Sequence, residues 1–264
     1  MPYRSMTLDV RDGIARLTFT EAARGNPIDG VFCAQISEAA IELSERRDVR
    51  AVLIAAEGKA FSYGGDISSF VAAGDELPQA IKRWTAGLHM AIARLQRMDA
   101  PIVAAVHGVC AGGMGAFVAG CDLVVAATNA RFVAAYAGIG YSCDAGASIA
   151  LTRRLGLQRA RRFLLLNETL DADAALAAGL ADEVVEPERL ATRAEELAAQ
   201  LAAGPTRALG EIRRLLLSAN DQPLEAQLEL EAQALARMAA TTDAREGLAR
   251  SPRSAGRSLR ATSA

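Results

Sequence analysis

PIVAAVHGVCAGGMGAFVAGCDLVVAA, from Pro101 to Ala127, decides the fold. A proline opens a short apolar run, Ile102–Val106. Bare glycine backbone follows, then a helix-compatible segment, then a second apolar run at Leu123–Ala126. This is the pattern of buried strand, glycine loop, helix and buried strand. A similar stretch precedes it. The strand-like AVLIA of Ala51–Ala55 leads into GKAFSYGGDIS, Gly58–Ser68. Both loops set main-chain amides, with no side chains over them, just after a buried strand. Such amides can hold a developing oxyanion, so the two loops are expected to face one ligand atom.

Outward from these loops, the pattern stays alternating. Thr7–Val10 and Ile14–Phe19 flank Asp12-Gly13, which signals a hairpin. Val31–Leu43 and Ile81–Met98 carry apolar residues at helical spacing. Strands alternating with helices predict an α/β layered domain with parallel pairing. From Ala145 onward the chain reads as helical, with helices over Pro187–Ala203, Thr206–Ser218 and Pro223–Ala240 punctuated by Gly204-Pro205 and Pro223. Residues 1–200 are expected to form the core and 201–250 a helical C-terminal region that meets other subunits. The Arg/Ser/Gly-rich tail of 251–264 is expected to be partly disordered.

Composition removes several classes of function. The chain has 264 residues, enough for a full core, and a net charge of −2, so no electrostatic case exists for nucleic acid or an anionic membrane. The apolar stretch around Ile102–Val125 is broken by His107, glycines and Asp122, and is not a membrane span. Cys33, Cys110, Cys121 and Cys143 have no metal-ligand or redox spacing, and no secretory signal opens the chain, so reduced thiols in a cytoplasmic protein are expected. Two histidines without ligand-spaced partners give no metal site. The glycines fit neither a Walker loop, a dinucleotide fingerprint nor a nucleophile elbow.

The ordered motifs resemble the enoyl-CoA hydratase/isomerase (crotonase) superfamily over about residues 7 to 250. Asn26-Pro27-Ile28-Asp29, GKAFSYGGDI, PIVAAVHGVCAGGMG with Cys121-Asp122-Leu123, Ala130-Arg131-Phe132, GIGYSCDAGAS, AALAAGLADEVV and Asp243-Ala244-Arg245-Glu246-Gly247 carry the resemblance. It implies a spiral of ββα units with a helical C-terminal region, assembly as a homotrimer or hexamer, and an acyl-coenzyme A substrate. Coenzyme A would enter as part of the thioester, with no permanently bound cofactor. The resemblance also implies an oxyanion hole from the amides of Gly65 and Gly113. It makes Lys59, Ala60, Tyr63, Asp66 and Ile67 candidate substrate-binding residues, with Tyr63 in place of a small residue.

The acid/base residues depart from the hydratase pattern. The two glutamates of hydratases correspond to Ala116 and Tyr136, and neither supplies a carboxylate. Asp144 remains, at a position where isomerases and chlorobenzoyl-CoA dehalogenases of the superfamily carry a catalytic aspartate. A helix beginning at Ala145 would also make Asp144 a favoured N-cap. The first expectation is an enoyl-CoA isomerase with Asp144 as acid/base. The second is a dehalogenase-like hydrolase with Asp144 as nucleophile, His89 activating water and Tyr136 against the acyl ring. A hydratase lacking both glutamates and a non-catalytic acyl-CoA-binding protein are further alternatives. His107, Asp66 and Asp122 are expected to fix loops and helix ends by hydrogen bonds.

Overall fold

The computed structural model describes residues 3–250. The expectation for the tail, 251–264, lies outside the described residues. The hairpin forms as predicted: β1 (Met6–Arg11) and β2 (Ile14–Phe19) pair antiparallel around Asp12-Gly13. From β2 onward every pairing in the main sheet is parallel, through β3 (Ala51–Ala56), β4 (Ile102–Val106), β6 (Leu123–Ala127) and β9 (Glu183–Val185). A three-stranded second sheet joins β5 (Val109–Ala111), β7 (Arg131–Val133) and β8 (Thr169–Asp171). These short strands are too brief to carry a period, which is why the sequence pattern shows β4 and β6 and not β5, β7 or β8.

The main sheet is covered on both faces, so its strands read as unbroken apolar runs rather than alternating ones. Successive residues go to opposite cores. Val52, Ile54, Ile102 and Ala104 join the larger core, with Phe32, Ile36 and Leu43 of α1 (Gly30–Glu45) and Leu88 and Leu95 of α3 (Leu77–Arg97). Ala51, Leu53, Val103 and Ala105 join a smaller core beneath α8 (Pro187–Ala203), where Leu190, Ala194, Leu197 and Ala198 point at the sheet. Helix α1 starts at Asp29, whose carboxylate accepts the Phe32 N–H at 2.9 Å. That cap satisfies an otherwise orphan amide.

Each parallel strand of the main sheet, from β2 onward, delivers its chain to the same end. After β3 comes the first glycine loop and α2 (Ile67–Ala73), which the sequence pattern does not show. After β4 come β5 and α4 (Gly113–Ala119). After β7 a loop leads to α5 (Ala147–Leu155), followed by α6 (Leu157–Leu165) and α7 (Ala172–Ala177). The C-terminal helices are α9 (Thr206–Ser218), α10 (Leu224–Ala239) and α11 (Thr242–Arg250). Arg213 of α9 is buried. It donates to the carbonyls of Leu95 (3.1 Å), Met98 and Ala100 (2.9 Å) and pairs with Asp122 at 2.8 Å. Asp122 in turn accepts the Ile102 N–H at 2.7 Å. One guanidinium thus joins the end of α3, the start of β4 and α9, and Asp122 has the loop-fixing role expected of it.

Candidate active site

The two glycine loops are stitched together by backbone hydrogen bonds. Ser62 N–H donates to Val109, and Ala111 N–H returns to Ser62, at 2.9 and 3.0 Å. Gly64 has φ +85°, and a Cβ there would lie 2.7 Å from the Ala111 carbonyl oxygen. Only glycine permits both that conformation and that approach. Asn26 spans the base of the first loop, its amide donating to the carbonyls of Glu57, Ala60 and Phe61. His107 Nε2 donates to the Gly58 carbonyl at 2.9 Å, the structural role expected of it.

This stitching uses the amides on either side of Gly65 and the one before Gly113. Gly64 N–H goes to Ser62 Oγ, Asp66 N–H to the Ile28 carbonyl, and Gly112 N–H to the Val133 carbonyl. The N–H groups of Gly65 and Gly113 have no protein acceptor among the described residues. Both glycines line one cavity of about 330 Å³. Its walls also hold Ile28, Cys33, Tyr63, Ile67, Phe70, Trp84, Tyr136, Tyr141 and Asp144.

Asp144 stands beside Gly113. A Cβ built on Gly113 would be 3.4 Å from Asp144 Oδ1. Asp144 is the only carboxylate among the residues lining the cavity. It is not a helix cap: α5 is preceded by Gly146, at φ +80°, and no side chain caps that helix. Burial pushes the Asp144 carboxyl above the usual carboxylate range, while the Tyr136 hydroxyl holds it back. Tyr136 is itself buried, and its hydroxyl donates to the Asp144 carbonyl at 3.3 Å. Burial drives its phenol well above the ordinary tyrosine range, so it stays a proton donor and not a base. The Cys33 thiol is pushed up to about 12 by burial, which leaves it protonated and non-nucleophilic at neutral pH.

Ala135 and Ala145, flanking Tyr136 and following Asp144, have φ of +55° and +52°. Non-glycine residues rarely adopt this region, and such strain gathers where surrounding structure fixes a site. Part of that fixing comes from His89. Its Nε2 accepts the Ala145 N–H at 3.2 Å, which requires the lone pair on that nitrogen. His89 lies outside the cavity lining and is exposed.

Of the sequence-predicted residues, the structure brings together Gly65, Gly113, Tyr136, Asp144, Tyr63 and Ile67. Lys59 is exposed outside the cavity, and Ala60 is buried with its carbonyl held by Asn26. Asp66 caps α2 through Ser68 N–H and pairs with Arg24 at 2.7 Å. Sequence reasoning missed Phe70, Trp84, Tyr141 and Ile139. Phe70 lies on the short α2, and Trp84, the only tryptophan in the chain, was the one available signal. A larger groove of about 1050 Å³ opens between the ends of α1 and α3 and the start of α9, but it holds none of these residues. Among the described residues no cluster of side chains could hold a metal ion, and no helix is long and apolar enough to cross a membrane.

Comparison with known proteins bears on the family and the fold. Residues 9–251 match the enoyl-CoA hydratase/isomerase family model. The chain is 31% identical to a 4-chlorobenzoyl coenzyme A dehalogenase of Arthrobacter sp., covering 86% of this chain and 83% of the relative. It is also 31% identical to the 1,2-epoxyphenylacetyl-CoA isomerase of Escherichia coli K12, covering 90% and 92%. The crystal structure of an enoyl-CoA hydratase from Polaromonas sp. JS666 superposes with a TM-score of 0.87 at 30% identity, covering 92% of this chain and 95% of that one. With its fold and the length of the match together, the chain belongs to the enoyl-CoA hydratase/isomerase (crotonase) family.

Proposed function

We propose that this protein is an enoyl-CoA isomerase in which Asp144 moves the proton and the Gly65 and Gly113 amides hold the thioester oxygen. One observation carries this: a single carboxylate lies beside Gly113 in the cavity that both unpaired amides line. Two N–H donors aimed where charge develops stabilise an enolate, and removing one such donor costs about 3–4 kcal/mol of barrier. Asp144 takes a proton from the carbon next to the thioester carbonyl of a 3-enoyl-CoA. The electrons spread into a dienolate whose oxygen rests on the two amides. Asp144 then returns the same proton at the far carbon, giving the conjugated 2-enoyl thioester. The proton balance closes on one carboxyl group and needs no water. Burial that raises the Asp144 pKa makes its carboxylate a stronger base.

Hydration on the two-glutamate pattern lacks both of its carboxylates. Ala116 is buried outside the cavity, and Tyr136 is a phenol held protonated. A second proposal is displacement of halide from an aroyl thioester by Asp144, favoured by the proximity of His89 to Asp144. Against it, the His89 Nε2 lone pair is already engaged by Ala145. The test mixes protein with a 3-enoyl-CoA and follows the absorbance of the conjugated thioester, with Asp144→Ala beside it. Turnover lost in the variant supports the isomerase. Chloride release from 4-chlorobenzoyl-CoA supports the displacement instead, and binding without either reaction supports a non-catalytic acyl-CoA carrier. We further propose that the exposed leucines of α9 to α11, among them Leu216, Leu224, Leu235 and Leu248, form the contacts of a cytoplasmic homotrimer or hexamer. Residues 1–200 then act as the catalytic core and 201–250 as the assembly region.

A further inference from the structure

The cavity beside Asp144 is lined by five aromatic rings together with the aliphatic side chains of Ile28, Ile67, Ile81, Leu88 and Ile139. The only tryptophan of the chain and three of its four tyrosines line it, together with Phe70. Phe70 stacks on Trp84, with centroids 6.1 Å apart and planes 20° from parallel. It also meets Tyr141 at 5.7 Å and 39°. These three rings come from α2, α3 and the loop before α5, so they brace one another across three separate segments. The wall reaches the oxyanion donors. Phe70 Cζ lies 3.0 Å from where a Cβ on Gly65 would sit. Tyr136 faces it from the Asp144 side.

We infer that the acyl group taken here carries a single aromatic ring on a short enoyl link to the thioester, and that Phe70, Trp84 and Tyr141 select it over a straight alkyl chain. The preference presupposes that the cavity takes an acyl thioester, as proposed above. A flexible chain gains from any apolar lining, whereas a planar ring gains additional offset-stacked or edge contacts with ring walls. Size agrees. A cavity of about 150 Å³ accepts benzene, and this one, at about 330 Å³, holds one ring with a short link to the carbonyl. Tyr141 and Tyr63 remain part-exposed, at 38% and 58%, which leaves ring surface at the cavity mouth that an occupant would cover.

Trp84 makes the test direct, because all tryptophan fluorescence comes from the cavity wall. Phenylacetyl-CoA and octanoyl-CoA, of equal carbon count, are titrated while Trp84 emission is followed, with calorimetry in parallel. The expected result is phenylacetyl-CoA binding tighter by about fivefold or more. Tyr141→Leu, at the exposed rim, and Phe70→Leu should each bring that ratio down by about threefold or more while octanoyl-CoA affinity stays within about twofold. Equal or tighter binding of octanoyl-CoA by the unaltered protein overturns the aryl preference and leaves the acyl-thioester proposal standing. Binding of neither thioester by either method overturns both.

Discussion

Asp144→Asn tests the chemistry with the least disturbance of shape. Asparagine keeps the side-chain outline next to Gly113, and the bond from the Tyr136 hydroxyl goes to the backbone carbonyl, which the substitution leaves in place. An amide cannot accept the substrate proton. Loss of a positioned acid/base group costs about 10²- to 10⁴-fold in rate. The upper part of that range is expected, because nothing else lining the cavity can stand in: burial pushes the Cys33 thiol up to about 12 and drives the Tyr136 phenol well above the ordinary tyrosine range. A loss of about 10³- to 10⁴-fold corresponds to about 4–5.5 kcal/mol of barrier. Stability should move the other way. Burial raises the Asp144 pKa in the folded protein, so the stabilisation linked to its protonation is full below the unfolded value, about pH 3.9, and is lost as pH rises through the folded value. The variant never ionises there. Its melting temperature should therefore exceed that of the parent at about pH 8, with the gap closing toward about pH 4. Rate is read from conjugated-thioester absorbance and stability from scanning calorimetry over that range. Activity retained within about tenfold would remove Asp144 from the proton path. A melting difference that does not change with pH would show that the carboxylate carries no desolvation cost.

Other substitutions probe the scaffold. His89→Gln keeps an acceptor near the Ala145 N–H, so isomerase turnover should stay within about tenfold; a loss beyond about 10³-fold would give His89 a place in the reaction itself. Gly64→Ala forces a methyl against the Ala111 carbonyl at positive φ and should cost about 2–4 kcal/mol in denaturant unfolding, against about 1–2 for Gly74→Ala, where no atom lies within 4 Å. Equal costs at the two positions would mean that the loops separate easily. Arg213→Met leaves Asp122 and three carbonyls without their shared partner and should cost about 3–5 kcal/mol, seen as a fall of about 10 °C in Tm. A fall under about 3 °C would show that desolvating the guanidinium cancels its bonds.

The residues that sequence reasoning located and those it missed differ in kind. Ile102–Val106, Pro187–Ala203 and Thr206–Ser218 were legible to the residue, because each is long or apolar enough to show its period or is bounded by proline and glycine. The C-terminal strand β9 and the three strands of the second sheet were not, since three residues carry no pattern and their pairing is set by distant partners. The glycine loops were legible by residue type, but Gly65, Gly113 and Asp144 could be named only because their motifs resemble those of the enoyl-CoA hydratase/isomerase family. Whether Asp144 capped a helix was decided only by the backbone: Ala145 turns to positive φ, and α5 begins after Gly146. The ring wall was invisible for a similar reason. Phe70, Trp84 and Tyr141 are far apart along the chain, and an aromatic residue at helical spacing reads as ordinary core until α2 and α3 bring it to the cavity. The local chemistry of the chain thus gave the longer strands and the glycine loops, and the likeness of its motifs to a family gave the acid. Tertiary packing alone decided what those groups face, because the orientation of a side chain into a cavity depends on contacts between segments that no short stretch of sequence contains.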